Sequence, residues 1–109
     1  MSQSSSVESP GEVVVEIVDL EEYGKSNRKP PKAKQYRIRI DKVQYVVDVS
    51  SMTGRQLLTR AGKTPVERFT ISQKFHGGQA QRIDFDEVVD FTAQGVERFM
   101  TLPLDQGEG

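Results

Sequence analysis

The sequence contains no cysteine, no tryptophan and a single histidine among its 109 residues. The lack of cysteine excludes a disulfide framework, thiolate zinc sites, iron–sulfur clusters and a cysteine nucleophile. A lone histidine supplies neither a metal-ligand set nor a Ser-His catalytic group. We therefore expect no metal and no cofactor. A chain without cysteine also fits a reducing compartment, and the cytoplasm is the expected location.

Long hydrophobic runs are also missing. No segment approaches the ~20 apolar residues of a membrane helix, and residues 1–6 lack the basic and apolar regions of a signal peptide. Hydrophobic residues make up 35% of the chain, below the ~45–50% of typical globular domains. The length allows one small domain with part of the chain outside its core, and we expect no membrane partner.

The part of the chain that we predict to lie outside the core is N-terminal. Residues 1–33 are rich in serine, then acidic, then basic, which predicts a disordered arm. One island within it, residues 13–22, consists of β-branched residues followed by acids and is typical of a strand. Whether this strand binds a partner or only collapses locally is left open by the pattern.

Alternation of apolar and polar residues begins at residue 34. It predicts strands at 36–40 and 43–49, close enough in sequence to pair as an antiparallel hairpin. Thr53 and Gln56 then form the capping box of a short helix, which Gly62 ends. A helix packed on one hairpin is the expected start of the domain.

Three further strands are predicted at 69–75, 82–83 and 95–102. The glycine pair in His76-Gly77-Gly78-Gln79 predicts a tight turn between the first two. Residues 84–90 are expected to form a turn or one loop of 3₁₀ helix. A hairpin, a crossing helix and a last strand that returns to the sheet centre constitute a β-grasp arrangement, an α+β fold, over residues 34–103.

Four segments carry a family resemblance: YRIRIDK at 36–42, MTGRQLL at 52–58, AGKTPVER at 61–68 and GVERFM at 95–100. Together they resemble the bacterial multiubiquitin-domain family of ubiquitin-like proteins, over residues 34 to about 105. The resemblance implies a modifier, not an enzyme, that is attached to a target through its C-terminal glycine. It also implies three protein partners, namely an activating enzyme that uses ATP, a conjugating-type enzyme and a peptidase.

On this interpretation residues 104–109 form a flexible conjugation tail. Gly109 would carry the reactive carboxylate, or Gly107 after trimming, because glycine passes a narrow channel where a side chain would clash. Leu104 and Asp105 are expected to contact the activating enzyme. Composition alone leaves the alternative of an ordinary frayed terminus.

The strand island gives a second hypothesis, a non-conjugated interaction protein. Its alternating apolar residues and following acids resemble the motif that adds a strand to small ubiquitin-like modifiers. The motif can reach either the sheet edge of its own domain or that of a neighbour, and docking on a neighbour would build a homo-oligomer or a filament. The residues expected to dock are Val15, Ile17, Val18 and Leu20, and the expected cations on the groove rim are Arg37, Arg39, Arg55 and Arg60.

Basic residues are concentrated in one stretch, since seven of the fifteen lie between Lys25 and Arg39. The formal net charge is nevertheless −1, and no helix suited to reading bases is predicted. We therefore expect a solvated linker there and no nucleic-acid partner.

Overall fold

Strands dominate residues 14–104, which are the residues that the computed structural model describes. The strands are β1 (Val15–Asp19), β2 (Ala33–Ile40), β3 (Val43–Val47), β4 (Ser51–Thr53), β5 (Phe69–Phe75), β6 (Ala80–Ile83), β7 (Val88–Asp90) and β8 (Val96–Pro103). The helices are α1 (Leu20–Lys25), α2 (Gly54–Arg60) and a 3₁₀ turn at Val66–Arg68. The expected mixture of a sheet with little helix is confirmed.

The main sheet is mixed. Its strand order is β1-β2-β8-β5-β6, and β3 pairs with β2 as the second half of a hairpin. The β2–β3 pair is antiparallel, with Tyr36 opposite Val47 and Ile40 opposite Val43. Strand β8 runs parallel to β2, where Ile40 faces Phe99, and antiparallel to β5. The last strand therefore lies inside the sheet, as the sequence predicts.

The core lies on one face of this sheet, under α2. Tyr36, Ile38 and Ile40 are buried as their alternation predicts, and Leu57 and Leu58 of α2 are fully buried against them. Three aromatic rings lie at the centre. Phe91 contacts Tyr36 at 5.7 Å and Phe99 at 6.3 Å between ring centroids, distances at which tilted rings attract.

Local signals set both ends of α2. The Thr53 hydroxyl accepts a hydrogen bond from the Gln56 backbone N–H at 3.1 Å, and the Gln56 side chain accepts from the Thr53 N–H at 2.8 Å. The predicted capping box is therefore correct. Gly62 follows with φ +74°, a left-handed conformation that suits glycine at the end of a helix.

The segment at 84–90 needs a correction. Part of it is the short strand β7, which pairs antiparallel with β4 in a small second sheet. Met52 of β4 lies opposite Val89, and Val89 is buried in the core. Two adjacent valines among acids gave no alternating signal, so the pairing partner rather than the local sequence determines this strand.

The predicted disordered arm at 1–33 also has to be corrected for its described part. Residues 14–33 form β1, α1 and a connection to β2. Val18 is 1% exposed and Leu20 is 0% exposed, so the segment contributes to the core of the domain. Burial of these apolar side chains offsets the conformational entropy that the segment loses when it becomes ordered. Residues 1–13 lie outside the described part.

Candidate partner-binding surfaces

The C-terminal end of β8 lies at the surface. Leu102 is 67% exposed, and Leu104 is also exposed although its backbone N–H donates to the Arg68 carbonyl at 2.7 Å. Asp41 holds the strand from the other side, because its carboxylate accepts from the N–H and the hydroxyl of Thr101 at 2.8 and 2.5 Å. The chain therefore leaves the sheet at a fixed position.

A cleft of about 480 Å³ lies beside this exit. It combines apolar and charged side chains, and Leu104 forms part of its wall. The other lining residues are Glu67, Phe69, Thr70, Arg82, Ile83, Asp84 and Phe85. A partner that grips the start of the tail would find both an apolar contact and charges of both signs here. The remaining predicted tail residues, Asp105, Gly107 and Gly109, lie outside the described part of the chain.

The predicted N-terminal strand is present as β1, and its partner is β2 of the same chain. The two strands run parallel, with Ile17 opposite Gln35 and Val18 opposite Tyr36. Val18 and Leu20 face the core, Val15 packs against its edge, and Ile17 stays partly exposed. The docking residues of the sequence prediction thus contact their own domain in this structure.

Acids of this segment pair with bases of β2. The ion-pair distances are 3.3 Å for Glu16 and Lys34, 3.6 Å for Asp19 and Arg37, and 3.1 Å for Glu21 and Arg39. The Glu21 side chain is 11% exposed and also lies 3.6 Å from Lys25. The outer pairs contribute little in water, whereas the half-buried Glu21–Arg39 pair is screened less. The acids therefore match β1 to the basic face of β2.

The four predicted rim arginines occupy two places. Arg37 and Arg39 lie beside β1, while Arg55 and Arg60 lie on α2. The Arg55 guanidinium is 3.7 Å from Asp86 and 5.1 Å from the Phe85 ring centroid. The Arg60 guanidinium lies 4.9 Å above the Tyr45 ring. The structure thus divides the expected rim, and only the α2 pair lines a groove that is not occupied by β1.

The glycine pair at 77–78 is a turn, as predicted. Both residues have φ +95°, and the Gly78 N–H donates to the Phe75 carbonyl at 2.9 Å. Between residues 14 and 104, carboxylate and histidine side chains nowhere form a group of three that could hold a metal ion. No helix in the same range is long and apolar enough to cross a membrane.

One carboxyl group has a perturbed pKa. Asp90 ends β7, and its Oδ1 accepts from the Thr92 hydroxyl at 2.6 Å and from the Thr92 N–H at 2.8 Å. These hydrogen bonds, with a smaller contribution from nearby Lys29, lower the pKa of Asp90 below its ordinary value. Lys29 also donates to the Thr92 carbonyl at 2.6 Å, which connects the N-terminal segment to this turn.

Sequence reasoning missed the residues that lock the chain ends in place. Asp41 has φ +56° in the hairpin turn, and Glu21 is a buried acid at the start of α1. Asp41-Lys42 marked a turn in the sequence, but nothing local indicated that the Asp41 carboxylate binds β8. Glu21 did have a signal in the sequence. Asp19 and Glu21 are two residues apart, as are Arg37 and Arg39, so two strands lying side by side can form both ion pairs.

Comparison with known proteins gave one match. The family model described as Multiubiquitin matches residues 36–103. No curated protein matches the chain, and no solved structure matches it. The matched residues run from the start of the β2–β3 hairpin to the last residue of β8.

Proposed function

Because the chain belongs to the multiubiquitin family, we propose that it is a bacterial ubiquitin-like modifier with a β-grasp fold, acting in the cytoplasm. Setting β1 aside, the order β3-β2-β8-β5-β6 supports this fold. A β-grasp sheet has its first hairpin strand and its last strand side by side and parallel at the centre. Strands β2 and β8 have this relation, and α2 packs on the face of the sheet that holds the core.

The observation that carries the function is the position at which β8 ends. The strand is central in the sheet, yet its last residues lie at the surface, where Leu104 is bound to Arg68 beside a cleft. A tail that starts there is attached to a rigid element. This arrangement suits a terminus that a partner must grip and thread, because the domain fixes where the tail begins.

The proposed chemistry uses the carboxylate of Gly109, or of Gly107 after trimming. A carboxylate oxygen attacks the α-phosphorus of ATP, and pyrophosphate leaves as the acyl adenylate forms. A thiolate of the activating enzyme then attacks the acyl carbon, and AMP leaves. An amine of the target finally displaces the thiol, so an amide bond forms. The residues of this chain supply the acyl group only, and the partners supply catalysis.

The partners follow from this chemistry. An ATP-using activating enzyme would contact Leu104 and Asp105, with the cleft beside Leu104 as the adjoining surface. A conjugating-type enzyme would pass the acyl group to the target, and a peptidase would trim the tail or cleave the bond. Leu102, which is exposed next to the exit, adds apolar contact area for the activating enzyme.

The rival hypothesis was an interaction protein that assembles through its N-terminal strand. It requires residues 13–22 to dock on a neighbouring molecule, whereas residues 15–19 pair with β2 of their own chain. Exchange of β1 between molecules would re-form the same Glu21–Arg39 pair and the same burial of Leu20 in the neighbour, so it adds no new contact to offset the entropy that association costs. The modifier is therefore the function we propose.

The test is ATP–pyrophosphate exchange with the cognate activating enzyme. Gly109→Val should lower the exchange rate by about tenfold or more, because a β-branched side chain next to the reacting carboxylate obstructs its channel. Glu108→Ala is the matched control and should exchange like the wild type. Undiminished exchange by Gly109→Val together with loss of exchange in Gly107→Val would move the reactive residue to Gly107. Undiminished exchange by both variants would contradict the proposal.

A further inference from the structure

The face of the main sheet that turns away from the core carries cations on three neighbouring strands. Ile40 of β2 and Phe99 of β8 are partners in register, and both are buried in the core. Because side chains alternate along a strand, the preceding residues, Arg39 and Arg98, point to the opposite face. Lys74 of β5 is the direct cross-strand partner of Arg98 and lies on that face as well. We call these three cations the cation row.

Like charges at neighbouring positions of a sheet repel each other. Adjacent strands are about 4.8 Å apart, so three cations side by side destabilise the sheet unless acids offset them. Acids are present at both ends of the row, since Arg39 lies 3.1 Å from Glu21 and Lys74 lies 3.7 Å from Glu97. The row therefore has three cations and two carboxylates, and the cation without a carboxylate is the central one.

Arg98 is this central residue. None of the ion pairs among residues 14–104 includes it, and its Nε is buried without a hydrogen-bond partner. A buried donor that lacks an acceptor is unfavourable, and the acceptor that a guanidinium binds best is a carboxylate. The side chain as a whole stays partly exposed, so a carboxylate can approach it from solvent.

The surroundings of the row determine how a partner can bind there. At Phe99 the backbone of β8 is paired on both sides, with β2 and with β5, so no strand can be added and recognition must use side chains. The next cross-strand pair on the same face is Met100 with Ser72, and both are partly exposed. Arg82 lies opposite Ser72 on β6, and it is exposed and in no ion pair among the described residues. The face thus offers one apolar contact between two cations that have no carboxylate.

The charges favour a protein partner over a nucleic acid. Glu21 and Glu97 lie beside the row, and their side chains are only 11% exposed, so they stay with the domain. They would repel a chain of phosphates, which needs a continuous positive surface. The formal net charge of the whole chain, −1, gives no positive field to attract one. Separate carboxylates on a protein segment match the two separate cations.

We propose that the cation row binds a carboxylate-bearing segment of a partner protein. One aspartate or glutamate side chain of the segment binds Arg98 and lies next to Lys74. An apolar side chain of the segment covers Met100, and a second carboxylate meets Arg82. No step of this binding uses the C-terminal carboxylate, so it goes beyond the proposed modifier chemistry and can fail or succeed independently of it.

The experiment is an NMR titration of the intact protein with a synthetic acetylated peptide composed of glutamate, leucine and alanine. Amide shifts should cluster in β8 and β5 around Arg98 and Met100. Arg98→Gln should lower the affinity about tenfold, because it removes the charge and keeps a side chain of similar length. Arg60→Gln, at an arginine of α2 outside this face, is the matched control and should bind like the wild type. A peptide with lysine in place of glutamate should bind about tenfold more weakly.

Urea unfolding of the same variants separates binding from a structural role. Arg98→Gln should leave the unfolding midpoint unchanged or raise it, because a cation next to Lys74 and a donor without a partner are both removed. Arg39→Gln breaks the pair with Glu21 and should lower the midpoint.

Four results would overturn the proposal. The first is equal affinity of Arg98→Gln and the wild type for the acidic peptide, and the second is shifts confined to α2 and β3. The third is tighter binding of an oligodeoxythymidine than of the acidic peptide at the same salt concentration, which would assign the face to a nucleic acid. The fourth is a midpoint of Arg98→Gln as low as that of Arg39→Gln, which would make Arg98 a residue of the fold alone.

Discussion

Gly24 is the residue at which the N-terminal segment meets the last strand. It lies in α1, and a Cβ atom built there would be 2.3 Å from the Val96 carbonyl oxygen and 2.7 Å from the Glu97 Cα. Both neighbours are backbone atoms of β8, which cannot rotate away as a side chain can. A glycine is therefore required for α1 to pack this closely.

Gly24→Ala should destabilise the protein by about 1–3 kcal/mol, the typical cost of forcing an extra methyl group into a packed contact. Urea unfolding followed by circular dichroism measures the difference. Glu22→Ala, at an exposed position of the same helix, is the control and should stay close to the wild type. Equal midpoints for Gly24→Ala and the wild type would mean that α1 does not contact β8 as described.

The Asp90 carboxylate gives a prediction about pH. Its pKa in the folded protein is lowered by the hydrogen bonds from Thr92. The stabilisation is therefore fully present above the unfolded pKa of about 3.9 and is lost as the pH falls through the lower folded pKa. Thr92→Val removes the hydroxyl donor and should raise the pKa of Asp90. Carbon-13 NMR titration of that carboxyl group measures it, with Thr59→Val as the control. An unchanged pKa in Thr92→Val would contradict the hydroxyl contribution.

Among the elements, α2 was predictable and β1 only in part. The capping box and Gly62 are contiguous signals, so the sequence indicates where α2 begins and ends. The β-branched residues likewise indicate that β1 is extended. Its partner is not readable, because parallel pairing with β2 depends on a register between distant residues and on the contact of α1 with β8. A six-residue helix containing a glycine has no periodic signal of its own.

For the candidate surfaces, too, the sequence indicated the residue types but not which residues meet in the fold. The sequence named Arg37 and Arg39 as cations for an acidic strand, and the structure pairs them with Asp19 and Glu21. It left open whether this strand binds its own domain or a neighbour, and the structure pairs it within one molecule. Nor did it separate them from Arg55 and Arg60, since only the fold decides which arginines share a surface.

Leu20→Ala should cost about 2–5 kcal/mol of folding stability, because Leu20 is fully buried and a cavity would remain. Ile17→Ala is the matched control on the same segment, and its cost should be clearly smaller because Ile17 is 38% exposed. Thermal and urea unfolding of both variants give the comparison. A disordered arm would leave both variants as stable as the wild type, which is the result that contradicts the structure.

On the scale of the whole molecule, the segment before β2 and the last strand support each other. Helix α1 packs on β8, and the Gln94 side chain donates to the Asn27 carbonyl at 2.7 Å from the loop that precedes β8. Lys29 binds the neighbouring turn at Thr92. The element that carries the C-terminal exit is thus stabilised by the N-terminal segment.

A chain that begins at Lys34 should therefore be less stable than one that begins at Val13, since only the shorter chain lacks Val18, Leu20 and α1. The free energy of unfolding of the shorter chain should also fall less steeply with urea concentration, because less surface is exposed when it unfolds. Equal unfolding midpoints and slopes for the two truncated chains would show that residues 14–33 are not part of the cooperative unit.

The central functional claim is that a carboxyl group of the C-terminal tail becomes bonded to a partner. Tandem mass spectrometry tests it most directly, after the protein has been incubated with ATP and the proposed activating and conjugating-type enzymes. The account predicts fragment spectra in which the carboxyl group of Gly109, or of Gly107 after trimming, is linked to a thiol or an amine. The absence of any adduct, or adducts that form unchanged when residues 107–109 are deleted, would contradict it.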